Sequence, residues 1–286
     1  STGVSTYIDS IEEETLSEYP LMIENTGFDF TSMMLDTMGD IQSEAKEGEI
    51  LVSNMLTNMF SNVGSNDLAS LKKDLDNSHD IKEYTKAIEY NYDVSLNIYS
   101  SDLNDIHQVN PDTTFNSIGL GTSQTSNSMM SSMMSTDVFF ELPKDESLYA
   151  DSYEVVAGKM PESSDEAVLV LSQSARVSDF MLYALGLRDY HDLEAMVNDF
   201  ANAKDVKVPS TDDVYTYDDI LNIEYKVVDP SAYYSYDEKY GVYVDKSGDD
   251  EYMKEVLAKS DSLKIVGIIK PSDEANAMML KSGIGY

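Results

Sequence analysis

The chain contains no cysteine, which excludes a disulfide framework and thiol chemistry. That absence agrees with an exported protein that folds without oxidative help. Basic residues are scarce: Lys and Arg number 19 against 53 Asp and Glu, a formal net charge of −34. A surface of that sign repels nucleic-acid phosphates and anionic lipid headgroups, and it tolerates or attracts cations and basic peptides. It serves solubility equally well. No apolar run approaches the ~18 residues that a membrane helix needs. No basic segment followed by an apolar one marks a signal peptide. The chain starts at Ser1 rather than Met and reads as a piece excised from something larger.

Motifs of reactive chemistry are also missing. His79, His107 and His191 are the three histidines, each beside polar or acidic residues. No HExxH pair, no GxSxG elbow and no GxxxxGK[ST] phosphate loop occurs. The acidic stretch Asp245 to Glu251 carries oxygen ligands without the spacing of an EF-hand loop, and Asp212, Asp213, Asp218 and Asp219 are equally unspecific. A solvated acidic face accounts for both. No catalytic, cofactor-binding or metal-binding residue is assigned, and no enzymatic activity is expected.

What is present is enough for a core: 286 residues, of which 42% are hydrophobic, allow one large domain or two subdomains. The most informative stretch runs from Tyr153 to Leu171. Tyr153–Ala157 is β-prone, Gly158 can adopt a positive φ, and Pro161 stiffens the next turn. Glu162 to Asp165 is a polar connection. Ala167–Leu171 is a continuous apolar run, the pattern of a strand buried on both faces. A helix is expected over Val177–Leu185, closed by Gly186 in a left-handed cap. Leu193, Met196, Val197 and Phe200 make the apolar face of another helix in Tyr190–Ala203. Asn222–Val228 alternates as a strand ended by Asp229-Pro230. Asp249 caps a helix carrying Met253, Val256 and Leu257, and Ser262–Ile269 is a core strand broken by Gly267.

Nearer the start, Val4, Tyr7, Ile8, Ile11 and Leu16 fall close to a helical stripe. A Met-rich helical patch gathers Met33, Met34 and Met38 with Ile50, Leu51, Met55, Leu56, Met59 and Phe60. It reads as core or as an adaptable binding surface. A helix carrying Leu68, Leu71 and Leu75 precedes a second short helix near Asp80 to Tyr84, and Ala87–Tyr99 follows as one or two strands. Val109–Ser135 is low in charge and loop-like. Its Met129, Met130, Met133 and Met134 form either an exposed partner patch or a buried helical turn. Val138–Leu142 is a strand. Tyr233, Tyr234, Tyr236, Tyr240 and Tyr243 crowd around Asp237-Glu238-Lys239. A hairpin turning near Glu238 or Gly241 explains them, and so does a recognition surface.

The sequences YEVVAGKMPESSDEAVLVLS, YALGL and LKIVGIIKP, together with the opening STYIDSIEEETLSEYPLMIEN, resemble the extracytoplasmic domain of MacB/FtsX-type ABC-transporter permeases. Lys159 stands where that family more commonly has Arg. The likeness touches about half the chain, and its motifs are structural. It implies an α+β fold: a MacB-like domain with a membrane-proximal porter-like α/β layer and a second, mixed β-rich subdomain. The division expected is 1–136 for stalk and porter-like region and 137–286 for the β-rich part, with a loosely held C-terminal end. Tyr7, Ile8 and Ile11 would form a coupling stalk leading from the membrane. The implied partners are flanking transmembrane helices of the same permease, a cytoplasmic ATP-binding subunit and an extracellular protein or peptide. The implied location is the outer side of a bacterial, Gram-positive, cell membrane. A cell-surface ligand-binding or adhesion module is the alternative.

Overall fold

Strand β12 (Asp261–Pro271) is the axis of an eight-stranded sheet. The computed structural model describes residues 44–62, 96–118, 138–172, 174–272 and 283–286. The expected stalk residues Tyr7, Ile8 and Ile11 lie outside them. So do Met33, Met34 and Met38, the helices expected around Leu68–Leu75 and Asp80–Tyr84, and Met129, Met130, Met133 and Met134.

The described strands are β1 (Glu49–Ser53), β2 (Asn97–Ser100), β3 (Gln108–Asn110), β4 (Phe139–Phe140), β5 (Tyr153–Gly158), β6 (Glu166–Val170), β7 (Arg176–Ser178), β8 (Tyr215–Thr216), β9 (Glu224–Val228), β10 (Tyr234–Asp237), β11 (Val242–Asp245), β12 and β13 (Gly283–Gly285). The helices are α1 (Met55–Asn62), α2 (Asp179–Ala184), α3 (Tyr190–Ala201), α4 (Tyr217–Ile220) and α5 (Asp250–Lys259). The fold is α+β. The large sheet runs β3-β2-β9-β12-β6-β13-β4, with β5 also on β12. It takes β2 and β3 from before residue 137 and the rest from after it. A small sheet, β7-β1-β8, and the hairpin β10-β11 stand apart.

The register explains β12's length. Along one edge Lys264–Ile269 runs parallel to β6. Along the other, Asp261–Lys264 pairs antiparallel with β9 and Gly267–Pro271 with β5. Gly267 therefore does not break the strand. It marks a bulge against β6 between Ile265 and Gly267. The extra residue shifts the side-chain parity, so that Leu263, Ile265 and Ile268 all enter one core. The bulge also lets two backbones touch. Gly158, at φ +66°, leaves β5 so that a Cβ there would lie 2.1 Å from the Val266 carbonyl oxygen; a Cβ on Gly267 would lie 1.9 Å from that of Lys159. The Lys159 amide donates to Val266 O at 3.0 Å. Lys159 Nζ then meets Glu162 at 2.9 Å and Glu166 at 3.0 Å. The residues of the Gly-Lys-x-Pro…Glu stretch and the Gly267 strand thus meet at one spot.

β6 is buried on both faces, as its unbroken apolar run predicts. Ala167, Leu169 and Leu171 join the main core with the helices. Val168 and Val170 join a second cluster with Tyr149 and Ile269. Helix α2 ends as expected: the Gly186 amide donates to Tyr183 O and the Leu187 amide to Leu182 O, with Gly186 at φ +74°. α3 buries Leu193, Met196, Val197 and Phe200. Phe60 of α1 packs edge-on to Phe200 at 5.4 Å.

Two further expectations are corrected. Ile50 and Leu51 belong to strand β1, not to a helical patch with the methionines; the helix begins only at Met55. Tertiary pairing decides this, because β1 runs parallel to β7 and antiparallel to β8. Gly283–Gly285, next to the C-terminal Tyr286, is not loosely held. β13 inserts between β6 and β4, with Ile284 fully buried.

Candidate functional site

The chain leaves β9 at Asp229, whose carboxylate accepts from the Ser231 amide at 2.9 Å and starts the helical turn Pro230–Tyr233. β10 follows and turns at Asp237, which accepts from the Lys239 and Tyr240 amides at 2.9 and 3.3 Å. Gly241 at φ +59° completes the reversal into β11. Asp249 then caps α5 through the Tyr252 amide. Each of these Asp–amide contacts is a local device that the side chain supplies to its own turn or helix.

Pairing places Tyr236 opposite Tyr243 and Tyr234 opposite Asp245. Residues directly opposite share a face, so Tyr234, Tyr236 and Tyr243 line one side of the hairpin and Val242 and Val244 the other. Tyr243 is 73% exposed, Tyr240 68%, Tyr236 54% and Tyr234 50%. Such values are unusual for aromatic rings, and here four occur within ten residues. The Tyr236 and Tyr243 rings lie 5.2 Å apart. Lys239 Nζ sits 5.1 Å from the Tyr240 ring centre, and Lys246 Nζ 5.7 Å from that of Tyr252.

Tyr233 is different. Its hydroxyl is 2.9 Å from that of Tyr99, which donates to Gln108. Burial, then the bond to Tyr99, raises its pKa. Tyr233 is an anchor that joins the hairpin to β2, beside the cluster of Tyr99, Val228, Met253 and Leu257. Tyr252 of α5 fixes the other side, donating to Ala232 O at 2.8 Å and Tyr234 O at 3.3 Å. The hairpin is therefore rigid at its base and exposed along its length. Of the tyrosines singled out from sequence, Tyr234, Tyr236 and Tyr240 are displayed and Tyr233 is not; Tyr243 is displayed most.

A second grouping has no local sequence signal. Asp105, in the loop between β2 and β3, accepts from Tyr190 Oη at 2.7 Å and meets His191 Nε2 at 2.9 Å. The His107 ring stacks on Tyr190 at 3.6 Å and 7°. Tyr190 and His191 open α3, whose cap Asp189 accepts from the His191 amide. The hydrogen bond from Tyr190 is the main reason Asp105 titrates below its ordinary range. The bond to Asp105 raises His191, and burial lowers His107 to about 4. No nucleophile shares the cluster in the contacts above. Among the described residues, no three His, Asp or Glu side chains converge to hold a metal ion. The grouping ties a loop to a helix start.

It has a pH consequence. A histidine whose folded pKa of about 4 lies below the ordinary 6.5 stabilises the fold fully above pH 6.5 and loses that contribution as pH falls towards 4. His191 acts oppositely: its contribution is present below 6.5 and fades as pH rises through its raised pKa. His107→Phe keeps a stacking ring without the charge. Urea unfolding at pH 7.5 and 4.5 is expected to show wild type losing about 1–2 kcal/mol more than this variant on acidification, less than the full shift because the ring is partly solvated. Parallel losses would contradict the assignment.

Among the described residues, no helix is long and apolar enough to cross a membrane. Compared with protein-family models, curated proteins and solved structures, the chain matches none.

Proposed function

We propose that this chain is the non-catalytic extracytoplasmic domain of a MacB/FtsX-type ABC-transporter permease and that it works by contact. In this reading ATP hydrolysis by a cytoplasmic subunit moves the membrane helices, and the domain carries that motion to a partner or substrate outside the cell. The observation that carries the contact role is the β10–β11 hairpin, with four exposed tyrosines on a base anchored by Tyr233 and Tyr252. Rigid aromatic side chains give large contact area at low entropic cost. The permease assignment is supported by the resemblance, whose residues Gly158, Lys159, Glu166 and Gly267 form one packed junction.

The same hairpin would serve a free-standing adhesion or ligand-binding module, so the test separates the two. The complete gene product is expected in the membrane fraction, co-purifying in detergent with an ATP-hydrolysing subunit. A product that fractionates away from membranes and carries no such subunit would overturn the permease reading and leave the surface module.

A further inference from the structure

The exposed hairpin is displayed within an acidic frame. Between Asp237 and Asp249 stand Asp237, Glu238, Asp245 and Asp249 against Lys239 and Lys246, and both lysines already lie over tyrosine rings. The β10 edge is partly covered, because the Tyr234 carbonyl takes the Tyr252 hydroxyl. All four residues of β11 are exposed, and β11 pairs with no described strand but β10.

We infer that this hairpin docks an extended, lysine- or arginine-bearing segment of a protein partner. The inference rests on the contact role proposed above and names the partner's chemistry. Two features of the surface select it. Exposed tyrosine faces attract cationic side chains, and the two resident lysines demonstrate the geometry. An open strand edge offers backbone pairing to an extended peptide. Charge excludes the other occupants. A second copy of this chain would bring another net charge of −34, and nucleic acid or an anionic bilayer would meet the same repulsion.

A polyanion binds polycations loosely anywhere on its surface, so the test must vary rings as well as charge. The probe is a fluorescently labelled peptide of five Lys-Val repeats, with five Glu-Val repeats as control, titrated into the 286-residue chain by anisotropy. The lysine peptide is expected to bind and the glutamate peptide to bind at least tenfold more weakly. Tyr236→Ser with Tyr243→Ser, which changes no charge, should weaken binding at least tenfold, and Tyr236→Phe with Tyr243→Phe should keep it within threefold. Glu238→Gln with Asp245→Asn should weaken binding at least threefold at low salt, whereas Asp205→Asn with Asp218→Asn should leave it unchanged. Equal binding by the serine variant, or equal loss from the charge pair outside the hairpin, would overturn the inference and leave unspecific charge attraction. Tyrosine-dependent self-association in sedimentation would overturn it in favour of a second copy. Neither outcome bears on membrane association or ATPase co-purification, so the permease reading stands or falls separately.

Discussion

Gly267→Ala is expected to lower the stability of the fold by roughly 3 kcal/mol or more, on the order of 10 °C in Tm. The new methyl group would lie 1.9 Å from the carbonyl oxygen of Lys159 and 2.8 Å from its carbonyl carbon. These are backbone atoms, so no side chain can swing aside to make room. The backbone is also pinned, because the Lys159 amide is bonded to Val266 O and Gly267 is paired to Gly158 on one edge and Val168 on the other. Gly158→Ala should cost a similar amount by a different sum. Its φ of +66° alone disfavours a side chain by roughly 1–2 kcal/mol, and its Cβ would lie 2.1 Å from Val266 O. Gly248→Ala is the control. Nothing lies within 4 Å of its Cβ position, and stability should change by less than about 0.5 kcal/mol. Urea unfolding of the three variants is the measurement. A Gly267→Ala protein as stable as Gly248→Ala would contradict the close approach of the Lys159 and Gly267 backbones.

Asp179→Ala is expected to cost about 3–5 kcal/mol. Asp179 is 1% exposed, yet it opens α2 while its carboxylate serves another helix. It accepts from the Leu56 amide at 3.2 Å, the Thr57 amide at 2.7 Å and Thr57 Oγ1 at 2.8 Å, all at the start of α1. The first amides of a helix have no partner within it, and a carboxylate there also meets the positive end of the helix dipole. Burial pushes the Asp179 pKa up, while the three bonds to Thr57 and Leu56 and the nearby Arg188 pull it down. Alanine removes the acceptor and leaves those donors buried without it. Asp179→Asn keeps the shape and one acceptor but turns an amide N–H₂ towards the Thr57 donors, so an intermediate loss is expected. Denaturant unfolding followed by far-ultraviolet circular dichroism checks both. A loss under about 1 kcal/mol for alanine would show that α1 does not depend on this cap.

These two sites differ in how far they could be read beforehand. Gly267 stood out in an apolar run, and its strand was expected, but a lone glycine does not reveal which backbone crosses it. Asp179 gave no signal at all. It looks like an ordinary acidic residue in the first turn of its own helix, and its partners are more than a hundred residues away in sequence. Elements with local signals were legible: the doubly buried run at β6, the Gly186 cap, the apolar stripe of α3, the Asp249 cap and the hairpin around Asp237 and Gly241. Elements made by distant pairing were not. Ile50 and Leu51 fit a helical patch with the neighbouring methionines, and only β7 and β8 make them a strand. β13 is Gly-Ile-Gly, which has poor strand propensity. Gly283 is needed because a Cβ there would lie 2.4 Å from the backbone oxygen of Val138, whereas a Cβ at Gly285 would press only on the movable end of the Leu142 side chain.

The candidate site divides the same way. Tyrosine crowding marked the hairpin, but exposure sorted its members. Tyr233 is drawn inward by Tyr99, a residue of β2, and no local pattern separates it from Tyr234. The Asp105, His107, Tyr190 and His191 grouping joins segments 85 and 86 residues apart, beyond the reach of any spacing rule.

Docking of a cationic segment on the hairpin is the claim that gives the contact role its chemistry, and amide hydrogen exchange with and without the Lys-Val peptide tests it most directly. Slowed exchange confined to residues 234–245 is the expected result. Slowing spread over acidic segments elsewhere, or none at saturating peptide, would contradict it.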